Sequence, residues 1–149
     1  MRQEDVPQYS PLDANLETEV CIVGAGIAGL MTAYLLASEG CRVVVLEAGV
    51  VGRGETSRTT AHLSSTLDDR FYELERLFGE NGAKLAYESH ARAINLIEEI
   101  TAPQQIDCEF TRLDGYLFAP PAESKDELDR EFKAALRAAR RSSGWTALL

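Results

Sequence analysis

Val20-Cys-Ile-Val-Gly24-Ala-Gly26-Ile-Ala-Gly29, followed further on by Arg42-Val-Val-Val-Leu-Glu47, is the stretch whose reading decides the fold. Its first four residues are an apolar run ending at a glycine, as expected of a parallel strand buried on both faces. A helix is predicted from about Ile27 to Glu39, with Leu30, Met31, Tyr34 and Leu35 facing inward and Gly40 as its carboxy-terminal stop. Arg42 to Glu47 is a second β-branched run. Strand, helix and strand in about thirty residues form a βαβ unit, whose crossover is almost always right-handed.

Between the first strand and the helix, Gly24-Ala25-Gly26-Ile27-Ala28-Gly29 has the G-x-G-x-x-G pattern of dinucleotide-binding turns. Gly24 permits a tight turn, Gly26 opens the main chain to a pyrophosphate, and Gly29 lets helix and strand pack closely, so a side chain at Gly26 is expected to occupy ligand space. The helix start offers unpaired N–H groups and the positive end of a dipole to phosphates. Glu47 closes the second strand, where a carboxylate can accept hydrogen bonds from ribose hydroxyls and repel the 2′-phosphate of NADP. Such charge-assisted bonds contribute roughly 1.5–3 kcal/mol. The plainer alternative is a structural glycine turn, but strand, glycines, helix, second strand and terminal acid agree in order and spacing. The fold alone does not separate FAD from NAD. Gly52-Arg-Gly-Glu-Thr-Ser-Arg-Thr-Thr-Ala-His62 is long and hydroxyl-rich, and suits a pyrophosphate and a ring edge; a solvated loop of turn-forming residues is its bland counterpart.

Outside this unit, residues 1–17 are polar, carry Pro7 and Pro11, and read as an arm. Residues 48–67 form a loop of the length that tends to be functional. Asp68 is a candidate cap for a short helix reaching Phe78, with Phe71, Leu74 and Phe78 at spacings of three and four. Asn81 is a candidate cap for a longer one with Leu85, Ser89, Ala93, Leu96 or Ile97, and Ile100 as its buried stripe. Cys108 to Leu113 and Tyr116 to Ala119 flank Asp114-Gly115, the favoured dipeptide of a type I′ turn, and predict a β-hairpin. Ser124-Lys-Asp-Glu127 is a capping box for a last helix with Leu128, Phe132, Ala135 or Leu136, and Ala139 inward.

The 149 residues suffice for one ordinary domain. Hydrophobic residues at 45% and charged residues at 26% describe a globular chain with a core. A formal charge of −9 repels a phosphate backbone, so nucleic acid is not an expected partner. No stretch is long and apolar enough to span a bilayer and the amino terminus has no secretory pattern, so a cytoplasmic location is expected. Cys21, Cys41 and Cys108 show no CxxC spacing, which predicts buried reduced thiols and no metal site.

At these residues the sequence resembles the D-amino-acid-oxidase-like superfamily of FAD-dependent oxidoreductases, and within it the bacterial members with a carboxy-terminal Rieske domain. The resemblance is carried by Pro11-Leu12-Asp13, the GAGIAG turn, Val45-Leu46-Glu47-Ala48, GRGETSRTTAHLSS at 52–65, the segment 67–94 and IDCEFTRLDGYLFA at 106–119. The glycine motif is common to many nucleotide binders, whereas ETSRTTAHLS is much more specific. The resemblance implies that Gly24, Ala25, Gly26, Ile27, Ala28 and Gly29, with Glu47 and Ala48, hold the ADP part of FAD. It also implies that the loop from Arg53 to His62, chiefly Thr56, Thr59, Thr60 and Ala61, runs beside the pyrophosphate and flavin. His62 is either a residue tuning the flavin or a loop histidine bonded to main chain. Arg58 faces either flavin or solvent, and His90 is expected on the surface.

The expected architecture is therefore α/β: a Rossmann-like FAD-binding unit with a parallel sheet over residues 18–105, an arm at 1–17, and over 106–149 the first hairpin of an antiparallel substrate domain. The implied activity is oxidation of a C–N bond of a small-molecule amine or amino acid by hydride transfer to flavin. Family members are longer, and Arg137 to Leu149 changes character near Arg140, so a fragment or frameshifted product without turnover is expected. Uncovered sheet edges then predict self-association. The rivals are a small NAD-binding protein and a non-catalytic nucleotide-binding module.

Overall fold

A computed structural model describes residues 7–118 and 125–139. The elements are β1 (Val20–Val23), α1 (Ile27–Ser38), β2 (Val43–Leu46), a 3₁₀ turn (Thr56–Arg58), α2 (Phe71–Thr101) and α3 (Lys125–Ala139). The chain divides into two compact units, Met1–His62 and Leu63–Leu149.

The first unit is the predicted strand, helix and strand. β1 and β2 pair in parallel with Val20 opposite Val43 and Val23 opposite Leu46. The strands enter together because Thr18 Oγ1 donates to the Arg42 carbonyl at 2.6 Å and the Arg42 N–H donates to Glu19 Oε2 at 2.7 Å. α1 stops where Gly40 takes a φ of +87°, a conformation glycine adopts without strain, and the Gly40 N–H bonds the Ala37 carbonyl at 3.0 Å. Burial differs from the expectation. β1 alternates between half-buried and exposed residues, and Val23 is 85% exposed. Leu30, Tyr34 and Leu35 on α1 are exposed too. With two strands and one helix there is too little structure to cover both faces of the sheet. The thiols are not buried as expected either: Cys21, on the uncovered sheet, is exposed, Cys41 is half-buried, and Cys108, in the irregular segment after α2, is exposed. The described part of the arm, from residue 7, is irregular and exposed.

The second unit is helical. Gly79, at φ 73° and ψ 167°, breaks α2 between Phe78 and Asn81, where the sequence predicts one helix ending and another starting. The buried stripe follows the predicted one in part: Phe71 and Leu74 are buried, Phe78 is exposed, and Leu96, Ile97 and Ile100 are half-buried. Phe71, Leu74, Ala83 and Tyr87 pack against Ala134, Ala135, Ala138 and Ala139 of α3, while Leu85, Ser89 and Ala93 face solvent. Phe71 and Tyr87 meet edge to face with centroids 6.1 Å apart. The alanines of α3 let the helices approach closely, so the two aromatic rings fill the space that larger residues would otherwise claim.

The start of α2 is held by a distant group. Asp68 is not its cap; the helix begins at Phe71 after Arg70, whose side chain makes no capping bond. The carboxylate of Glu131, 4% exposed, accepts from the Phe71 N–H at 3.0 Å and the Tyr72 N–H at 3.3 Å. A negative group at a helix start also suits the dipole. Arg130 lies 4.2 Å over the Tyr72 ring. Arg137 makes two bonds to Glu75, at 2.8 and 2.6 Å, and Glu75 raises its pKa above the ordinary value.

Of the predicted last helix, Lys125 onward is observed, and Ser124 of the capping box lies outside the described residues. Leu136 is exposed, and Ala135 and Ala139 are buried. The hairpin does not form over its described part. Residues 108–118 make no strand, Glu109 has a φ of +54°, and Ala119 lies outside the described residues. A lone two-stranded hairpin is marginal in water without a third strand or a covering face. Arg112 instead ties the segment to α2 through Asn95 at 2.7 Å and Glu98 at 2.7 Å.

Candidate nucleotide site

The glycine turn links the end of β1 to the start of α1. Gly24 has a φ of +99°, which explains glycine there by conformation alone, since a Cβ would meet nothing within 4 Å. Gly29 is required by space. A Cβ on it would overlap the Gly24 carbonyl oxygen and reach Ile22 Cγ2 at 3.4 Å, so helix and strand could not pack as they do. At Gly26 the first atom a Cβ would meet is Thr56 Oγ1, at 3.3 Å. The space over Gly26 is shared with the loop after β2.

Glu47 follows the last residue of β2, and its carboxylate turns back to the glycine turn. Oε2 accepts from the Ala25 N–H at 2.8 Å and Oε1 from the Gly49 N–H at 2.9 Å. The Ala25 N–H most of all, then that of Gly49 and least that of Ala48, holds the Glu47 carboxyl below the usual carboxylate range, with some loss of hydration working the other way. Ala25, 1% exposed, is thereby clamped from both sides, because its carbonyl accepts from the Gly52 N–H at 2.8 Å. The Gly24 N–H bonds the Leu46 carbonyl at 2.7 Å.

Thr56 completes the arrangement. Its Oγ1 accepts from the Ile27 N–H, the first of α1, at 3.0 Å. Ala28 and Gly29 stand in the first turn, too early in the helix for their N–H groups to bond a carbonyl within it. Both donors belong to the same helix start, beside the glycine turn whose Ala25 N–H bonds the Glu47 carboxylate.

The structure thus brings Gly24, Ala25, Gly26, Ile27, Glu47 and Thr56 into one hydrogen-bonded group, with Ala28, Gly29 and Ala48 adjoining it. The other loop residues stand apart. Arg53, Thr59, Thr60, Ala61 and His62 are exposed. Arg58 pairs with Glu55 at 3.3 Å, and the Ala61 N–H bonds Thr59 Oγ1 locally at 3.3 Å. His90 is exposed on α2, as expected. Gly49 and Gly52 belong to the group although the motif reading did not single them out. Their signal was the density of glycines after β2, and Gly52 has a φ of +73°.

Among the described residues no cluster of three His, Cys, Asp or Glu side chains is placed to hold a metal, and no helix is long and apolar enough to cross a membrane.

The fold is α/β, with a two-stranded parallel sheet whose connecting helix opens on a glycine-rich turn. The chain belongs to the DAO family of FAD-dependent oxidoreductases, whose family model matches residues 19–147. That match continues past Arg140, beyond the point where the sequence changes character. The chain is 38% identical over 130 residues to YhfW of Bacillus subtilis, a protein named for a Rieske 2Fe-2S iron–sulfur centre, covering 87% of this chain and 26% of that protein. It is 31% identical over 106 residues to the gamma-glutamylputrescine oxidoreductase of Escherichia coli, covering 69% of this chain and 25% of that protein. It is 30% identical over 105 residues to the oxidoreductase OrdL of Haemophilus influenzae, covering 70% and 24%. The chain therefore spans about a quarter of the length of these relatives. No solved structure matches it.

Proposed function

We propose that this chain supplies the ADP-binding half of an FAD site in an enzyme that oxidises a C–N bond of an amine or amino acid. The observation that carries the reading is the Glu47 carboxylate, held ionised across the glycine turn by the Ala25 and Gly49 N–H groups. Each carboxylate oxygen keeps a lone-pair direction beyond the one it uses, so Glu47 has capacity for the ribose hydroxyls of the adenosine. The N–H groups of Ala28 and Gly29 suit a pyrophosphate. Gly24, Gly26 and Gly29 keep the main chain bare there. The family resemblance assigns Arg53, Thr59, Thr60 and Ala61 to the loop running on toward the flavin.

Bound FAD supplies the hydride acceptor. The residues of this chain bind and orient it. The C–N assignment draws on the relative named for gamma-glutamylputrescine, an amine derivative. Substrate positioning belongs to the whole protein, of which residues 18–105 form cofactor-binding structure and 106–149 begin the substrate domain; this chain by itself does not turn over. Three free thiols suit the cytoplasm. Exposed Val23 on β1 and Ile27 at the start of α1 are apolar surface that supports self-association.

Thermal unfolding with FAD, NAD or no ligand tests the reading. FAD is expected to raise the midpoint with the logarithm of its concentration. Glu47→Gln is expected to weaken that binding roughly tenfold or more, as loss of a charge-assisted bond requires. A shift with NAD and none with FAD would replace the flavin reading with the NAD-binding one.

A further inference from the structure

We propose that Thr56 is a positioning residue: from 29 residues downstream its hydroxyl caps α1 and fixes the loop after β2 against the glycine turn before any nucleotide arrives. The proposal rests on the FAD reading for its purpose and on the ligand-free geometry for its mechanism.

The need for such a cap is local. The residue at the cap position of α1 is Gly26, which has no side chain to satisfy the first N–H groups of the helix. Ser, Thr, Asp and Asn are the residues that normally do so. Here the cap arrives from another segment, at 3.0 Å from the Ile27 nitrogen. Thr56 is the half-buried member of its turn, while Glu55, Ser57 and Arg58 beside it are exposed.

Three further contacts make this a built arrangement. Gly52 N–H reaches the Ala25 carbonyl at 2.8 Å, a second tie between the same loop and the same turn. The turn that carries Thr56 is closed on itself by Ser57 Oγ to the Gly54 carbonyl at 3.0 Å and the Arg58 N–H to the Glu55 carbonyl at 3.0 Å. The 3.3 Å between a Cβ on Gly26 and Thr56 Oγ1 leaves no room for a larger residue without moving the hydroxyl. The second glycine of the motif thus also serves the loop. Thr56 occupies the Ile27 N–H and leaves those of Ala28 and Gly29, so the cap and a phosphate can be present together. Ordering the loop in advance removes part of the entropy that binding would otherwise cost.

Limited trypsin digestion of the ligand-free chain reads the cap directly, because Arg53 and Arg58 flank Thr56 and are exposed. T56V is expected to be cut there roughly fivefold faster than the parent, the ratio for losing one net hydrogen bond. T56S, which keeps the acceptor, is expected to behave as the parent. G26A presses on the same hydroxyl from the other side and is expected to accelerate cleavage by no more than T56V does; it also supplies the test should T56V fail to fold. ADP binding, measured in parallel, is expected to weaken in T56V and to be restored in T56S. Unchanged cleavage in T56V would overturn the proposal, and doubly so if its ADP affinity fell, since Thr56 would then act on the ligand alone. Failure of the parent to bind ADP would instead strike the FAD reading, and the cleavage rates would still decide the cap.

Discussion

The two units are ordered by different means. In the second, a cluster of buried side chains from Phe71 to Ala139 does the work, and even its buried carboxylate serves to close a helix end against that cluster. In the first, Ala25 is the one buried hydrophobic residue among those described, and the order comes from main-chain hydrogen bonds that converge on the glycine turn from Glu47, Gly52 and Thr56. Burial gives stability but fills space, whereas a hydrogen-bonded turn keeps donors and a carboxylate at the surface where a ligand can meet them. The unit that carries the candidate site is the one without a core.

Three measurements break or sharpen this contrast. The largest effect is expected from Phe71→Ala, which removes the most fully buried large side chain and should cost about 3–5 kcal/mol. Hydrogen exchange should show lost protection in α2 and α3 and unchanged protection in β1 and β2; loss in both units would mean that they share one cooperative transition. A smaller effect is expected from Gly29→Ala. Its Cβ collides with the Gly24 carbonyl, and overpacking of this kind costs about 1–3 kcal/mol. Exchange should accelerate in β1 and α1 alone, and an unaltered first unit would refute the close approach.

The smallest effect concerns pH. The folded pKa of Glu47 lies below its unfolded value, so its contribution to the first unit is complete above the ordinary carboxylate range and is lost as pH falls through the depressed value. The amide signals of Ala25 and Gly49 should titrate with a midpoint below that of an ordinary glutamate. They should not titrate in Glu47→Gln. A midpoint at or above the ordinary value would show that the N–H groups do not hold the carboxylate.

What the sequence reveals follows the range of the interaction. β1, α1, β2, the stop at Gly40 and the break near Gly79 are set by neighbours a few residues apart, and periodicity and glycine placement report them. The glycine turn and Glu47 are legible for the same reason, since the motif encodes its own geometry. Glu131 as the cap of α2 is not, because its partner Phe71 is 60 residues away and Asp68 offers a nearer answer. The burial of Ala83 and Tyr87 in place of Leu85 is not legible either, because it depends on where the alanine face of α3 meets α2, far along the chain. Over its described residues the expected hairpin is absent: Asp114-Gly115 favours a turn by composition, but a turn dipeptide alone does not hold two strands together. The approach of Thr56 to the space over Gly26 is likewise something no motif spacing discloses.

The exposure of two thiols, one in each unit, has a practical use. Cys21 lies on β1 three residues before the glycine turn, and Cys108 lies beyond α2. With Cys41 replaced, a maleimide dye on either one alone would report on its own unit, so the chain already carries the attachment points for following nucleotide binding and helix-pair melting as separate fluorescence signals.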